Sequence, residues 1–138
     1  MLITRVCTLI PVVLAAASCA ATAPHSGENP FVQTIFDQPT AAAGKSLRAV
    51  SVRYPPGAKS RPHHHAKSAF ILAYVVSGAV RSQLEGHPLR VYHAGETWSE
   101  APGAHHTVSE NASSTEPAQL LAVFLIDTGD GPLTTDDH

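Results

Sequence analysis

The chain has 138 residues, enough for one domain with a substantial core, and its 9 basic and 11 acidic residues give a formal net charge of −2. No basic run or stripe is present, which argues against nucleic acid as a partner. Both cysteines, Cys7 and Cys19, lie near the start, so the rest of the chain can form neither a disulfide nor a thiolate metal site. Nine histidines stand out in a chain with 14% charged residues.

Residues 1–18 have the composition of a secretory signal peptide. Arg5 gives a positive start, and the following apolar run, residues 6–17, is too short to span a bilayer unaided. We therefore expect the protein to be exported to the periplasm.

The next residues leave two kinds of processing open. Residues 16–19, AASC, resemble the lipobox of bacterial lipoproteins, which would leave a lipid anchor on Cys19 as the one link to a membrane. Ordinary cleavage after Ala20 or Ala23 is the alternative. Residues 19–30 are rich in Ala, Pro, Ser and Gly and are expected to form a flexible tether.

Residues 31–128 read as one all-β domain, because short apolar segments alternate with turns that contain Gly or Pro. Such spacing favours an antiparallel sandwich or barrel over a parallel sheet with crossover helices. The acidic, turn-prone residues 129–138 are expected to be a disordered tail. The predicted strand segments are FVQTIF, SLRAVSVRY, SAFILAYVVSGAVRSQL, PLRVYH, ETWSE, HHTVSE and QLLAVFLID.

Two histidine clusters each follow a turn. Residues 63–65 are three consecutive histidines, and in an extended strand His63 and His65 share one face while His64 points away. Two adjacent imidazoles at the mouth of a β-structure form half of a metal site. The second cluster is His105–His106. Gly78, inside a strongly β-prone stretch, is predicted to turn the chain between two paired strands.

These clusters resemble the two motifs of the cupin family, whose fold is a small double-stranded β-helix, or jelly-roll, barrel. The first motif is Gly, five residues, His-x-His, three or four residues, Glu, six residues, Gly, and it is matched by Gly57, His63, His65 and Gly78. The second is Gly, five residues, Pro-x-Gly, two residues, His, three residues, Asn. It is matched by Gly95, Gly103 and His106, with Ala101 at the first proline position and Asn111 one place late.

The resemblance implies that His63, His65 and His106 bind one divalent transition metal: Fe, Ni, Cu, Zn or Mn. The glutamate of the first motif is missing, since residues 69–71 are Ala, Phe and Ile. The remaining three histidines are similar to the set in thiol dioxygenases of the cupin superfamily. Gln83 and Glu100 are alternative oxygen ligands, but we expect water or substrate to fill the position instead.

Metal-dependent chemistry on a small organic molecule follows from the resemblance, with oxidation by O2 as the leading class and no general base assigned by the sequence. The alternatives are a non-catalytic periplasmic cupin that binds a metal or small ligand, and a metal-dependent isomerase or lyase. Side chains of Phe70 or Ile71 filling the cavity would favour the binder. The family also implies a homodimer, paired through the N-terminal segment FVQTIF.

Overall fold

The structure, a computed structural model, describes residues 29–138. This part of the chain contains ten β-strands. The predicted signal peptide, the predicted lipid anchor and residues 19–28 of the expected tether lie outside the described residues. Within residues 29–138, no helix is long and apolar enough to cross a membrane. The strands are β1 (Phe31–Pro39), β2 (Lys45–Tyr54), β3 (His63–His65), β4 (Phe70–Ser77), β5 (Ala79–Leu84), β6 (Arg90–His93), β7 (Thr97–Glu100), β8 (His105–Asn111), β9 (Ala118–Asp127) and β10 (Thr134–Asp136).

The strands form two antiparallel five-stranded sheets. One has the order β1-β2-β9-β4-β7 and the other the order β10-β3-β8-β5-β6. The predicted all-β double-stranded β-helix is thereby confirmed, and each predicted segment forms a strand or, for the longest, two strands.

The core lies between the two sheets, and they contribute to it unequally. Along β4 and β9 the side chains alternate between buried and more exposed, so that Ile71, Val75 and Phe124 point inward. The second sheet contributes Val80, but also the buried histidines and Ser82. The inner face of the first sheet is therefore mainly apolar and that of the second is largely polar. Candidate metal ligands thus lie beside the apolar core.

Gly78 carries the chain from one sheet to the other. Our expectation of a turn between paired strands was wrong, because β4 and β5 belong to different sheets. The residue has a φ of 71°, and a Cβ atom there would lie 2.5 Å from the carbonyl oxygen of Pro117. Only glycine fits this close backbone approach.

The C-terminal segment is ordered, so the expected disordered tail over residues 129–138 was wrong. Residues 134–136 form β10, which pairs with β3 in the register Thr134↔His65 to Asp136↔His63. Asp130 accepts hydrogen bonds from both the backbone N–H and the hydroxyl of Ser68. Backbone pairing with β3 and the packing of Leu133 against the core hold this segment in place.

Candidate metal centre

The register of β3 and β8 brings three histidines together on the inner face of one sheet. His63 pairs with His106 across the two strands, and His65 follows His63 on the same face. All three are at least nine-tenths buried. One ring nitrogen from each lies within 4.8 Å of the others. The structure thus assembles the set that the motifs predicted.

Backbone carbonyl groups orient two of the imidazoles. His63 Nδ1 lies 2.7 Å from the carbonyl oxygen of Arg61, and His65 Nδ1 lies 3.3 Å from that of Leu133. A carbonyl oxygen can only accept a hydrogen bond, so Nδ1 carries the proton in each ring. In the neutral rings Nε2 keeps its lone pair, which is the form that binds a metal ion.

His106 is held by Ser82 on the neighbouring strand β5. Its Nε2 lies 2.9 Å from Ser82 Oγ, and its Nδ1 lies 3.5 Å from Glu100 Oε1. In the tautomer that donates Nε2–H to Ser82, the lone pair of Nδ1 faces Glu100.

Glu100 supplies a carboxylate from a strand that the first motif does not include. It lies on β7 directly opposite Ile71 on β4, so both side chains point inward. Ile71 is one of the apolar residues that stand where the motif has its glutamate. The sequence indicates Glu100 only as an alternative ligand, because the spacing of Trp98 and Glu100 puts both on one face of β7 but does not show that this face meets the histidines.

The contact between Glu100 and His65 is incomplete. Glu100 Oε2 lies 2.9 Å from His65 Nε2, yet the two atoms are not aligned for a hydrogen bond, and neither has a hydrogen-bond partner within residues 29–138. With the proton of His65 on Nδ1, both facing atoms are acceptors. A cation between them would satisfy both. The other oxygen, Oε1, accepts a hydrogen bond from Trp98 Nε1 at 2.9 Å.

Burial sets the charge state of the cluster. It lowers the pKa of His63, and it lowers the pKa of His106 to about 4, because an imidazolium is poorly solvated there. At neutral pH the site therefore presents neutral His63 and His106 imidazoles.

A cavity of about 420 Å³ opens beside the cluster and is lined by all three histidines and Glu100. Tyr54 also lines it, with its hydroxyl 2.8 Å from Ser109 Oγ and 3.0 Å from Ser60 Oγ. Ile71 forms part of the wall, whereas Phe70 lies half-exposed on the other face of β4. The cavity is large enough for a small organic molecule.

The remaining candidates lie elsewhere. Gln83 points away from the cluster and donates from Nε2 to the carbonyl oxygen of His87. His64 and His105 point to the outer face of the sheet, as the alternation along β3 predicts. Trp98 is buried against Tyr92 and positions Glu100.

The donor set fits a divalent transition metal. Three buried imidazoles and a carboxylate combine ligands that Fe, Ni, Cu, Zn and Mn accept. The two facing acceptors, His65 Nε2 and Glu100 Oε2, are the observation that favours a cation here.

Comparison with known proteins agrees with this fold. A family model described as "Cupin domain" matches residues 50–124, more than half of the chain. The chain belongs to the cupin family. No curated protein matches this cupin.

Solved structures similar to this cupin include proteins of several kinds. A conserved protein with a double-stranded β-helix domain from Klebsiella pneumoniae is 16% identical, with 79% of this chain and 86% of that chain covered and a TM-score of 0.62. DMSP lyase DddQ from Ruegeria pomeroyi is 20% identical, with 78% and 51% covered and a TM-score of 0.62. A recombinant oxalate oxidase in complex with glycolate is 22% identical, with 78% and 55% covered and a TM-score of 0.58. This cupin spans about half of the lyase and oxidase chains, and the likeness is one of fold.

Proposed function

We propose that this cupin binds one divalent transition metal through His63, His65 and His106 and acts on a small organic molecule, with oxidation by O2 as the leading reaction. The observation that carries the proposal is the convergence of three buried imidazoles beside an open cavity of about 420 Å³. Fe, Ni, Cu, Zn and Mn are the candidate metals, because each accepts imidazole ligands.

A metal ion bound by these histidines would supply Lewis acidity and, if redox-active, electron transfer. The carbonyl groups of Arg61 and Leu133 fix the ring orientations of His63 and His65 before anything binds. Glu100 adds a negative charge that favours a cation and can serve as a fourth, oxygen ligand.

The rest of the cavity wall would hold the substrate. Ile71, Leu120 and Phe124 supply apolar surface that excludes water, while the Tyr54 hydroxyl can donate to or accept from a polar group. Holding the substrate beside the metal converts an encounter between two molecules into a reaction within one site.

The same site suits a metal-dependent lyase or isomerase, and Glu100 is the observation that favours this alternative. Its carboxylate lines the cavity and in its ionised form can accept a proton from a substrate there. The names of the similar structures include both a lyase and an oxidase. Turnover that continues without O2 would favour the lyase or isomerase.

The cavity is open to a small molecule. Phe70 lies on the outer face of its strand, and Ile71 lines the cavity without filling it. Export to the periplasm, with a lipid anchor on Cys19, is part of the proposal and rests on residues 1–19 alone.

Elemental analysis of protein made without a histidine tag tests the proposal. We expect the wild type to hold one more equivalent of metal per chain than the His63→Ala/His106→Ala variant, and the same amount as His93→Ala, in which an exposed histidine is lost. Equal metal content in the wild type and the double variant, even after reconstitution with each of the five metals, would contradict the proposal. An O2-uptake screen of the metal-loaded protein then separates oxidation from the alternatives.

A further inference from the structure

A second pair of histidines lies on the outer face of the same sheet. β3 runs between β10 and β8, and His64 pairs with Thr135 on one side and His105 on the other. Because alternate side chains of a strand point to opposite faces, His64 and His105 share the outer face with Asp137, two residues after Thr135. The inner histidines face the cavity, so the two groups are separate.

The outer group is compact. The rings of His64 and His105 are stacked, with centroids 4.1 Å apart and planes at 11°. Both Nε2 atoms face Asp137: His105 Nε2 lies 2.8 Å from Oδ2 and His64 Nε2 lies 3.8 Å from Oδ1. One ligand atom from each residue lies within 4.8 Å of the others.

The surroundings favour a cation over an anion. Glu85 Oε2 lies 3.6 Å from Nδ1 of His105, on the side of the ring away from Asp137. If Nε2 of His105 binds a metal, the ring proton must reside on Nδ1, and the negative charge of Glu85 on that side of the ring favours it there. His64, Glu85 and His105 also line a surface groove of about 700 Å³, so an ion and its water ligands can enter from solvent.

We propose that His64, His105 and Asp137 form a second, solvent-facing site for a divalent transition metal, and that Zn²⁺ is the ion best matched to it. Two imidazoles and one carboxylate are a ligand set that Zn²⁺ accepts, with water in the fourth position. The ion would join β3, β8 and the segment that follows β10. A bound ion would therefore hold β10 against β3. Leu133, the residue just before β10, orients His65 of the inner site through its carbonyl oxygen.

The test is a Zn²⁺ titration of the untagged full-length protein in competition with a chromophoric chelator at neutral pH. We expect the His64→Ala/Asp137→Asn variant to bind one equivalent of Zn²⁺ fewer than the wild type. All three substituted positions are exposed to solvent, and His93→Ala, which removes an exposed histidine outside both the group and the groove, should bind as the wild type does. Cys7 and Cys19 are present in every variant, so any thiolate binding cancels in the comparison.

The outcomes separate this inference from the proposed function. Loss of an equivalent in His63→Ala/His106→Ala but not in His64→Ala/Asp137→Asn would overturn the outer site and leave the inner one intact. Loss in the outer variant alone would support the outer site and contradict the inner one. Amide hydrogen exchange gives a second readout: Zn²⁺ should slow exchange in residues 134–136 several-fold in the wild type and not in the outer variant. Equal exchange with and without Zn²⁺ in the wild type would count against the site.

Discussion

Glu100 Oε2 and His65 Nε2 face each other as two hydrogen-bond acceptors. Replacing Glu100 by glutamine tests whether this pair binds a metal ion. In Glu100→Gln the amide N–H can donate to His65 Nε2, so we expect the metal-free variant to be more stable by about 1 kcal/mol. Loss of the negative charge should weaken metal binding by about tenfold or more. Urea unfolding of the metal-free protein and chelator competition measure the two effects.

The opposite signs of these effects make the test specific. Glu116→Gln, which neutralises an exposed carboxylate far from the site, should change neither quantity. A Glu100→Gln variant that binds metal as tightly as the wild type would show that the carboxylate does not contribute to the site.

His106 should make the metal-free protein sensitive to acid. Burial lowers its pKa to about 4, against 6.5 for an ordinary histidine, so between these values the unfolded chain binds a proton that the folded chain does not. The free energy of unfolding should therefore fall by up to about 3 kcal/mol as the pH drops from 6.5 to 4. His63, whose pKa burial also lowers, acts in the same direction. Urea titrations at a series of pH values, with chelator present, measure the slope.

Two variants test whether His106 causes this pH dependence of the free energy of unfolding. His106→Gln removes the titrating group and should flatten the dependence, whereas His93→Gln should retain it. His105 acts in the opposite direction, because its hydrogen bond to Asp137 raises its pKa, but it is present in both variants. An equally steep slope in His106→Gln would mean that other groups carry the acid sensitivity.

At the scale of the strands, Gly78 is the position where adding a single methyl group should lower the free energy of unfolding most. In Gly78→Ala the added Cβ would lie 2.5 Å from the Pro117 carbonyl oxygen, and the residue would also keep a φ of 71°. We expect destabilisation by about 3 kcal/mol or more in urea unfolding. Gly86→Ala is the matched control, since its φ is 75° but nothing lies within 4 Å of the added atom, and it should cost about 1 kcal/mol. Equal costs would show that the crossing between the sheets can shift to make room.

The sequence predicted well those strands in which buried and exposed side chains alternate. Along β4, Ile71, Ala73 and Val75 point inward and the residues between them outward, which is the period of two that an antiparallel strand requires. The convergence of His63 and His65 with His106 was predicted only through the resemblance to the cupin motifs, because spacing along the chain does not show that β3 pairs with β8.

β10 and Glu100 could not be predicted in the same way. Residues 134–136 are Thr, Thr and Asp, all exposed, and they form a strand only because β3 offers them backbone partners. Glu100 reaches the site because β7 lies beside β4, a pairing between strands that no local pattern encodes.

Across the whole molecule, one sheet has an apolar outer face that a second copy could cover. Every residue of β1 is exposed, and Phe31 and Phe36 are 59% and 46% accessible to solvent. Exposed apolar side chains continue along the outer face of β4, at Phe70, Leu72, Tyr74 and Val76. An apolar surface of this extent is typical of a protein interface.

We therefore expect light scattering to give the mass of a dimer. Phe36→Asp should shift the population to monomer, because a charge would be buried at the interface. Val91→Asp, which changes an exposed residue on β6 of the other sheet, should leave the mass unchanged. A wild-type monomer at working concentrations would contradict this prediction.

The central position of β9 has a consequence for the speed of folding. β9 lies between β2 and β4, and the ion pair of Lys45 with Asp127 at its end joins residues 82 positions apart. Chains that depend on such distant pairings fold in about milliseconds to seconds, and until β9 docks, the apolar faces of its neighbours remain open to other chains. If the inner site completes only after that closure, metal in the buffer should slow unfolding in stopped-flow mixing without accelerating refolding. Metal capture would then follow the formation of the barrel, and the unfolding rate alone would record it.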